Sequence, residues 1–276
     1  MNPIVSILTG NSVPNTPNKP AFCEVCKEPT TKPMEFQGFK FMASVSCACE
    51  RKRMAEEAEI ERKQEKLRKI EKLKSLSLLS ERYKDVTFEN SKTGINPSFD
   101  TAFKRCKKYC ELHAEVIKSG SGIYLFGDKG TGKTHLTACM ANYLMNQCVP
   151  VLFTSLFEIS KAVKSTFNRE SAQTEQKLIE NFAQVDVLFF DDLGTEIFTK
   201  NSGDTWLQSL LFDLINKRYN SQKSTIFSSN YSLNALINER GIAEKTVDRI
   251  SEMTNGAVMK ITGKSLRGNL KKEILF

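Results

Sequence analysis

Ile123-Tyr-Leu-Phe126 runs without a break into Gly127-Asp128-Lys129-Gly130-Thr131-Gly132-Lys133-Thr134, and this stretch decides the fold. The apolar residues read as a buried strand, and the turn that follows is built for a polyphosphate. Glycines at 127, 130 and 132 let the backbone take positive φ and bring its N–H groups close to phosphate oxygens, at the positive end of the next helix. Lys133 is placed to reach the β- and γ-phosphates, and Thr134 to offer its hydroxyl to the Mg2+ that bridges them. His135 stands in the first turn of the same helix and is grouped with the loop as nucleotide-facing.

Downstream, a second buried strand is expected over Pro150–Ser155, then helices over Phe157–Phe167 and Thr174–Ala183 joined by the polar stretch 168–171. Val185-Asp-Val-Leu-Phe-Phe190 then leads into Asp191-Asp192-Leu-Gly194. An apolar run before an acidic pair suits a central parallel strand that delivers carboxylates to the sheet edge beside the phosphate loop. Asp191 is expected to hold the water shell of Mg2+, and Asp192 to orient the attacking water, with Glu196 the next carboxylate in line. A helix over Asp204–Asn220 and a strand over Thr225–Ser229 follow. Asn230, leaving that strand, has two readings: an amide near the γ-phosphate, or, with Ser232, a helix N-cap. Helices over Leu233–Asn238 and Ala243–Met253, a strand over Ala257–Ile261 and a basic tail with Lys264, Arg267, Lys271 and Lys272 complete the chain.

Upstream of the loop, Phe99, Phe103, Cys106, Tyr109, Cys110, Val116 and Ile117 mark one helix from Ser98 to Ser119-Gly120, and the loop with Gly94 and Pro97 before it reads as a domain boundary. Glu50–Leu79 is mostly Glu, Lys and Arg, with Ile60, Leu67, Ile70, Leu73 and Leu76 at helical spacing. A solvated spacer helix and a partner-binding helix both fit that pattern. Cys23-x-x-Cys26 and Cys47-x-Cys49 flank a stretch with Phe36, Gly38, Phe39 and Phe41 that suits a hairpin, so the two thiol pairs read as a closed structural Zn2+ site of the ribbon type. The Cys-x-Cys spacing departs from the usual Cys-x-x-Cys and leaves the part played by Cys49 open. Cys106, Cys110, Cys139 and Cys148 fall inside helical patterns and read as small core residues.

The 276 residues are 40% hydrophobic and 26% charged, enough apolar material for one large core and a smaller module. No apolar run reaches the roughly 20 residues of a membrane span. Eight cysteines in a chain of this length do not form the framework of a small secreted protein, and a cytoplasmic location is expected. A net charge of +8 favours an acidic partner, nucleic acid first. The expected organisation is a disordered leader (1–20), a zinc-binding module (21–50), a charged helix (51–82) and an αβα domain with a parallel sheet (83–276).

The order of phosphate loop, extra helices, Leu188-Phe-Phe-Asp-Asp-Leu-Gly194, Phe227-Ser-Ser-Asn230, Val247-Asp-Arg-Ile250 and Ser265-Leu-Arg267 resembles the AAA+ ATPases that load replicative helicases, the DnaC/DnaI family, phage-encoded members included. The resemblance covers roughly residues 80–270. It implies a P-loop AAA+ αβα domain without a separate lid, an ATPase with ATP and Mg2+ as ligands, self-association through AAA+ interfaces, and a DnaB-type helicase and single-stranded DNA as partners. It also implies that Asn230 is the sensor-1 residue, Arg249 an arginine finger reaching a neighbour's nucleotide, and Arg267 sensor 2. The Asp191-Asp192 pair departs from the Asp-Glu commonest in AAA+ proteins and implies slow hydrolysis. A transposase helper ATPase of the IstB type and a non-hydrolysing helicase-binding adaptor are the alternatives.

Overall fold

The computed structural model describes residues 20–36, 38–76, 79–94, 96–165, 175–196, 198 and 205–266. Expectations for the leader, the polar stretch 168–171 and the tail with Arg267 lie outside the described residues, as do the side chains of Leu67, Ile70, Leu73 and Leu76. The chain divides into two compact units, Met1–Glu65 and Lys66–Phe276.

In the smaller unit, strands β1 (Thr31–Phe36) and β2 (Phe39–Ser44) form an antiparallel hairpin, with Met34 opposite Phe41 and Phe36 opposite Phe39. Gly38 takes φ +83° at the turn. Before the hairpin the chain makes a tight turn in which Cys23 donates its N–H to Glu28 O and accepts from Lys27 N. After it, helix α1 (Ala48–Leu76) starts inside the second cysteine pair, so that Cys49 lies in its first turn. Glu28 holds that end: its carboxylate accepts from Ala48 N at 2.6 Å and faces Arg51 at 3.3 Å. A carboxylate at a helix N-terminus meets the positive end of the helix dipole. Ile60, the residue of the expected apolar seam whose side chain is described, is exposed.

The larger unit is built on a parallel sheet of β3 (Ile123–Phe126), β4 (Val151–Thr154), β5 (Val187–Leu193), β6 (Ser224–Ser229) and β7 (Val258–Lys260), in the order β4-β5-β6-β3-β7. Strand alternation splits its side chains between two cores. Ile123, Leu125, Val151, Phe153, Val187, Phe189 and Ile226 face helices α2 (Pro97–Glu111) and α4 (Lys133–Asn146). Tyr124, Leu152, Leu188, Phe190 and Phe227 face α5 (Leu156–Ser165), α6 (Glu175–Ala183), α7 (Thr205–Asn220), α8 (Leu233–Asn238) and α9 (Glu244–Thr254). Burial on both faces is why these strands read as unbroken apolar runs.

Four expectations change. The helix expected from Ser98 breaks at Leu112 into α2 and α3 (His113–Lys118), a bend that lets the Tyr109 hydroxyl and the Val116 carbonyl both reach Ser224 at the start of β6. The loop with Gly94 and Pro97 lies within the larger unit rather than at its edge, because Phe88 is buried and Asn142 donates to the Tyr83 and Val86 carbonyls. The strand expected to end at Phe190 continues through the acidic pair to Leu193, with a register shift between Phe190 and Leu193. Cys148 is not a core residue: it sits half-buried at φ +57° in the turn after α4, whereas Cys106, Cys110 and Cys139 are fully buried.

One buried charge, unmarked in the sequence, ties the N-terminal edge of the sheet together. Arg218 is 0% exposed. It donates to Thr225 Oγ1 at 2.8 Å, to the Phe182, Ala183 and Val185 carbonyls at 3.2, 2.9 and 2.8 Å, and to Ser224 O. Replacing it by Met leaves those carbonyls without a donor, and urea unfolding should show a loss of about 3 kcal/mol or more. Arg218→Lys should recover little of it, because an ammonium cannot reproduce the planar fork.

Candidate functional site

At the C-terminal edge of the sheet the turn after β3 takes the conformation a phosphate loop requires. Gly127, Gly130 and Gly132 have φ of +143°, +83° and +101°. A side chain at Gly127 would meet Ile261 O at 1.9 Å, and one at Gly132 the Phe99 ring at 2.6 Å, so neighbours hold the loop as well as its own torsions. Gly132 caps α4, whose first N–H groups face the loop. Lys133 is buried, and its Nζ donates to the Gly127 and Asp128 carbonyls, each at 2.8 Å. Thr131 is buried and its hydroxyl also bonds the Asp128 carbonyl, while Asp128 and Lys129 are exposed at the tip.

Thr134 meets Asp191 across the edge, with Oγ1 at 3.3 and 3.4 Å from the two carboxylate oxygens. Ser228 on β6 donates to Asp191 Oδ1 and accepts the Asp192 amide at 3.1 Å. Ser228 was not singled out in the sequence, yet register would have found it. Phe189 pairs with Ile226, so Asp191 and Ser228, each two residues on, fall on the same face of neighbouring strands. Burial pushes the Asp191 carboxyl up to about 6; Asp192 adds to the rise, and the Ser228 and Thr134 hydroxyls oppose it. A hydroxyl and a carboxylate of this kind, with a glycine-lined anion cradle beside them, fit a Mg2+-bound polyphosphate.

The remaining expected residues divide. Asp192 has φ +53° and an exposed side chain, and its carbonyl accepts from the Thr195 N–H and hydroxyl. Asn230 leaves β6 at the same edge, and it is Ser232 whose side chain caps α8. His135 is turned aside: Ser91 Oγ lies 2.8 Å from its Nε2, and burial lowers its pKa. Arg249 stacks over the Tyr219 ring at 4.5 Å, its Nη1 3.7 Å from Glu252. Its ion-pair partner is thus Glu252. Met253, one turn on, accepts from Gly122 N before β3, so Arg249 lies towards the end of β3 opposite to its own phosphate loop.

In the smaller unit, one thiol sulfur each from Cys23, Cys26, Cys47 and Cys49 lies within 4.8 Å of every other. Four sulfurs about one Zn2+ at roughly 2.3 Å would stand about 3.8 Å apart, so the group suits one tetrahedral ion. The start of α1 explains the unusual spacing, since the helical turn carries Cys49 back toward the others. Backbone N–H groups of Glu28 and Cys49 lower the Cys26 thiol to about 6, and the hydrogen bond from Cys49 to Cys26 raises Cys49 to about 11.

The raised Asp191 pKa has a consequence for stability. Between its ordinary value of 3.8 and about 6 the folded state keeps a proton that the unfolded state has lost, so stability falls as pH rises through that window. In metal-free buffer at about pH 7, Asp191→Asn should therefore be more stable than wild type by about 2–3 kcal/mol, the equivalent of a shift of about two units. The difference should vanish below about pH 4. Thermal melts across that range, in a chelator, check the sign.

A family model described as IstB-like ATP binding protein matches residues 52–274. The XkdC protein of the phage-like element PBSX of Bacillus subtilis (strain 168) is 29% identical over 209 residues, 75% of this chain and 76% of XkdC. The replicative helicase loader DnaC of Buchnera aphidicola subsp. Schizaphis graminum (strain Sg) is 28% identical over 189 residues, 68% of this chain and 72% of that one. The crystal structure of the DnaC helicase loader superposes with a TM-score of 0.56 at 24% identity, covering 66% of this chain and 100% of the other, a likeness of the P-loop AAA+ αβα fold. Because the matched span opens inside α1 and runs beyond β7, it takes in the whole phosphate-facing edge, and the chain belongs to the IstB-like ATP-binding protein family.

Proposed function

We propose that this chain is an ATP-dependent loader of a hexameric, DnaB-type replicative helicase onto single-stranded DNA, with hydrolysis as a conformational switch. The observation that carries the reading is the meeting of Thr134 with Asp191 at the mouth of the phosphate loop, within a chain whose relatives include proteins named replicative helicase loader. Bound ATP with Mg2+ supplies the transferable phosphoryl group and the charge that organises its oxygens. The loop N–H groups and the N-terminus of α4 receive phosphate oxygens, and Lys133 exchanges the Gly127 and Asp128 carbonyls for them. Thr134 and Asp191 hold the metal side, Asn230 acts as a polar sensor, and Arg267 takes the second sensor role that the family resemblance implies. Arg249, displayed towards the opposite end of β3, serves the pocket of a neighbouring copy, so that occupancy and assembly are coupled. The thiol cluster holds a structural Zn2+, which supplies folding energy to a module with little core of its own.

A transposase helper ATPase is the second reading, favoured by the description of the family model. That model matches 52–274 and leaves all four clustered cysteines outside its span. Copurification separates the two: retention of a DnaB-type helicase supports the first reading, and retention of a transposase in its place supports the second.

Lys133→Ala should lose ATP binding, and Arg249→Ala should bind ATP as wild type does while turnover falls on the order of 10³-fold. Mixing the two should restore part of the activity, since an intact pocket then meets an intact finger on the next subunit. Mixtures as inactive as the separate variants, under conditions where wild type assembles and hydrolyses, would remove Arg249 from the role.

Elemental analysis of the purified chain should give about one zinc per chain, and Cys49→Ser should bind it less tightly. A metal-free native protein with four freely reactive thiols in the cluster would refute the assignment.

A further inference from the structure

The turn that follows the acidic pair is held more firmly than a surface loop needs to be. Asp192 at φ +53° and Gly194 at φ +85° fold the chain back on itself, and a side chain at Gly194 would meet Leu236 at 2.5 Å. Arg240, stacked over the Tyr231 ring at 4.7 Å, donates to the Gly194 carbonyl at 2.5 Å and the Thr195 carbonyl at 2.6 Å. Inside this clamp lies Glu196. Its carboxylate accepts its own backbone N–H, while its Oε2 is buried and has no hydrogen-bond partner among the described residues.

A buried acceptor without a donor costs about 1–3 kcal/mol, and native proteins retain few of them. This one sits within electrostatic reach of Asp192 and Arg240, three residues beyond the end of β5, the strand that carries Asp191. Asp192, by contrast, is exposed to solvent and has its amide fixed by Ser228. We propose that Glu196, through Oε2, accepts the proton of the attacking water in ATP hydrolysis, in place of its exposed neighbour Asp192. The assignment rests on the ATPase reading above. In the step, the water oxygen bonds to the γ-phosphorus, and the bond from that phosphorus to the β,γ-bridging oxygen breaks, its electron pair leaving on ADP. The water proton passes to Glu196 Oε2 and from there to solvent. Burial raises the Glu196 carboxyl, with Arg240 pulling it down and Asp192 pushing it up, a direction that suits a proton acceptor. Arg240 acts through the turn as a positioning residue.

The test sets Glu196→Gln, which keeps shape and removes the charge, beside Asp192→Asn and the wild type. Melting curves, binding of a fluorescent ATP analogue with Mg2+ and phosphate release are measured on the full chain. Glu196→Gln should melt no lower than wild type and bind the analogue equally well. Its turnover should fall by about 100-fold, a loss at least about tenfold larger than that of Asp192→Asn. Turnover within about threefold of wild type, a larger loss in Asp192→Asn, or loss of analogue binding in Glu196→Gln would each overturn the assignment. A wild-type chain that binds ATP without hydrolysing it overturns the ATPase reading and this assignment together, whereas an active wild type beside an active Glu196→Gln overturns the assignment alone.

Discussion

A carboxylate at the end of β5 has to meet a hydroxyl on the helix that follows β3, and β6 lies between them. Neighbouring strands stand about 4.8 Å apart, so the two ends are separated by roughly 10 Å of sheet. The gap is closed from three sides. Thr134 projects from the first turn of α4, Asp191 reaches across from β5, and Ser228 stands on the intervening strand and bonds the carboxylate. Strand order, register and the placing of α4 over one face all serve this contact. A one-residue slip of β6 against β5 would turn Ser228 to the opposite face and strip Asp191 of a donor.

The two edges of the sheet are built to different ends. At the N-terminal edge Arg218 satisfies backbone carbonyls from the end of α6, the approach to β5 and the start of β6, and burial lowers its pKa to about 9. At the C-terminal edge positive φ angles meet a carboxyl raised to about 6, and three residues beyond β5 a buried Glu196 oxygen has no hydrogen-bond partner among the described residues. Local stability is unevenly spread in proteins, and sites that change state are drawn from the less satisfied parts. Here the locked edge gives the other a fixed base to work against.

Much of this was legible in the sequence because it is local. The phosphate loop, the acidic strand end and the apolar strands announce themselves within a dozen residues each, and so does the pairing of thiols at 23 and 26. Contacts that depend on register or on distant segments do not. Ser228 became visible only once Phe189 was set against Ile226. Arg218 reads as one more cation at the end of a helix until α6 and β6 close around it. The bend at Leu112 is invisible to periodicity because both helices keep apolar residues in phase; it is set by Tyr109 and Val116 converging on Ser224. Cys49 reads as irregular in the sequence because the spacing does not reveal that α1 starts inside the second pair.

The notch at Gly127 has a consequence for the birth of the site. The space where a side chain would stand is taken by the carbonyl of Ile261, and Ile261 in turn donates its N–H to Phe126. Leu266 donates to Gly130, and the Thr262 carbonyl is clasped by Asn96 and Ser98 at the head of α2. The cradle for phosphate is therefore finished by β7 and the residues after it, although its signature is written between β3 and α4. β3 must wait for both of its neighbours, β6 and β7, which are translated long after it, and non-local pairing of this kind is slow to form. A nascent chain carries a complete phosphate-loop sequence through the whole synthesis of the segment from α4 to β7 with no formed site for a nucleotide to occupy.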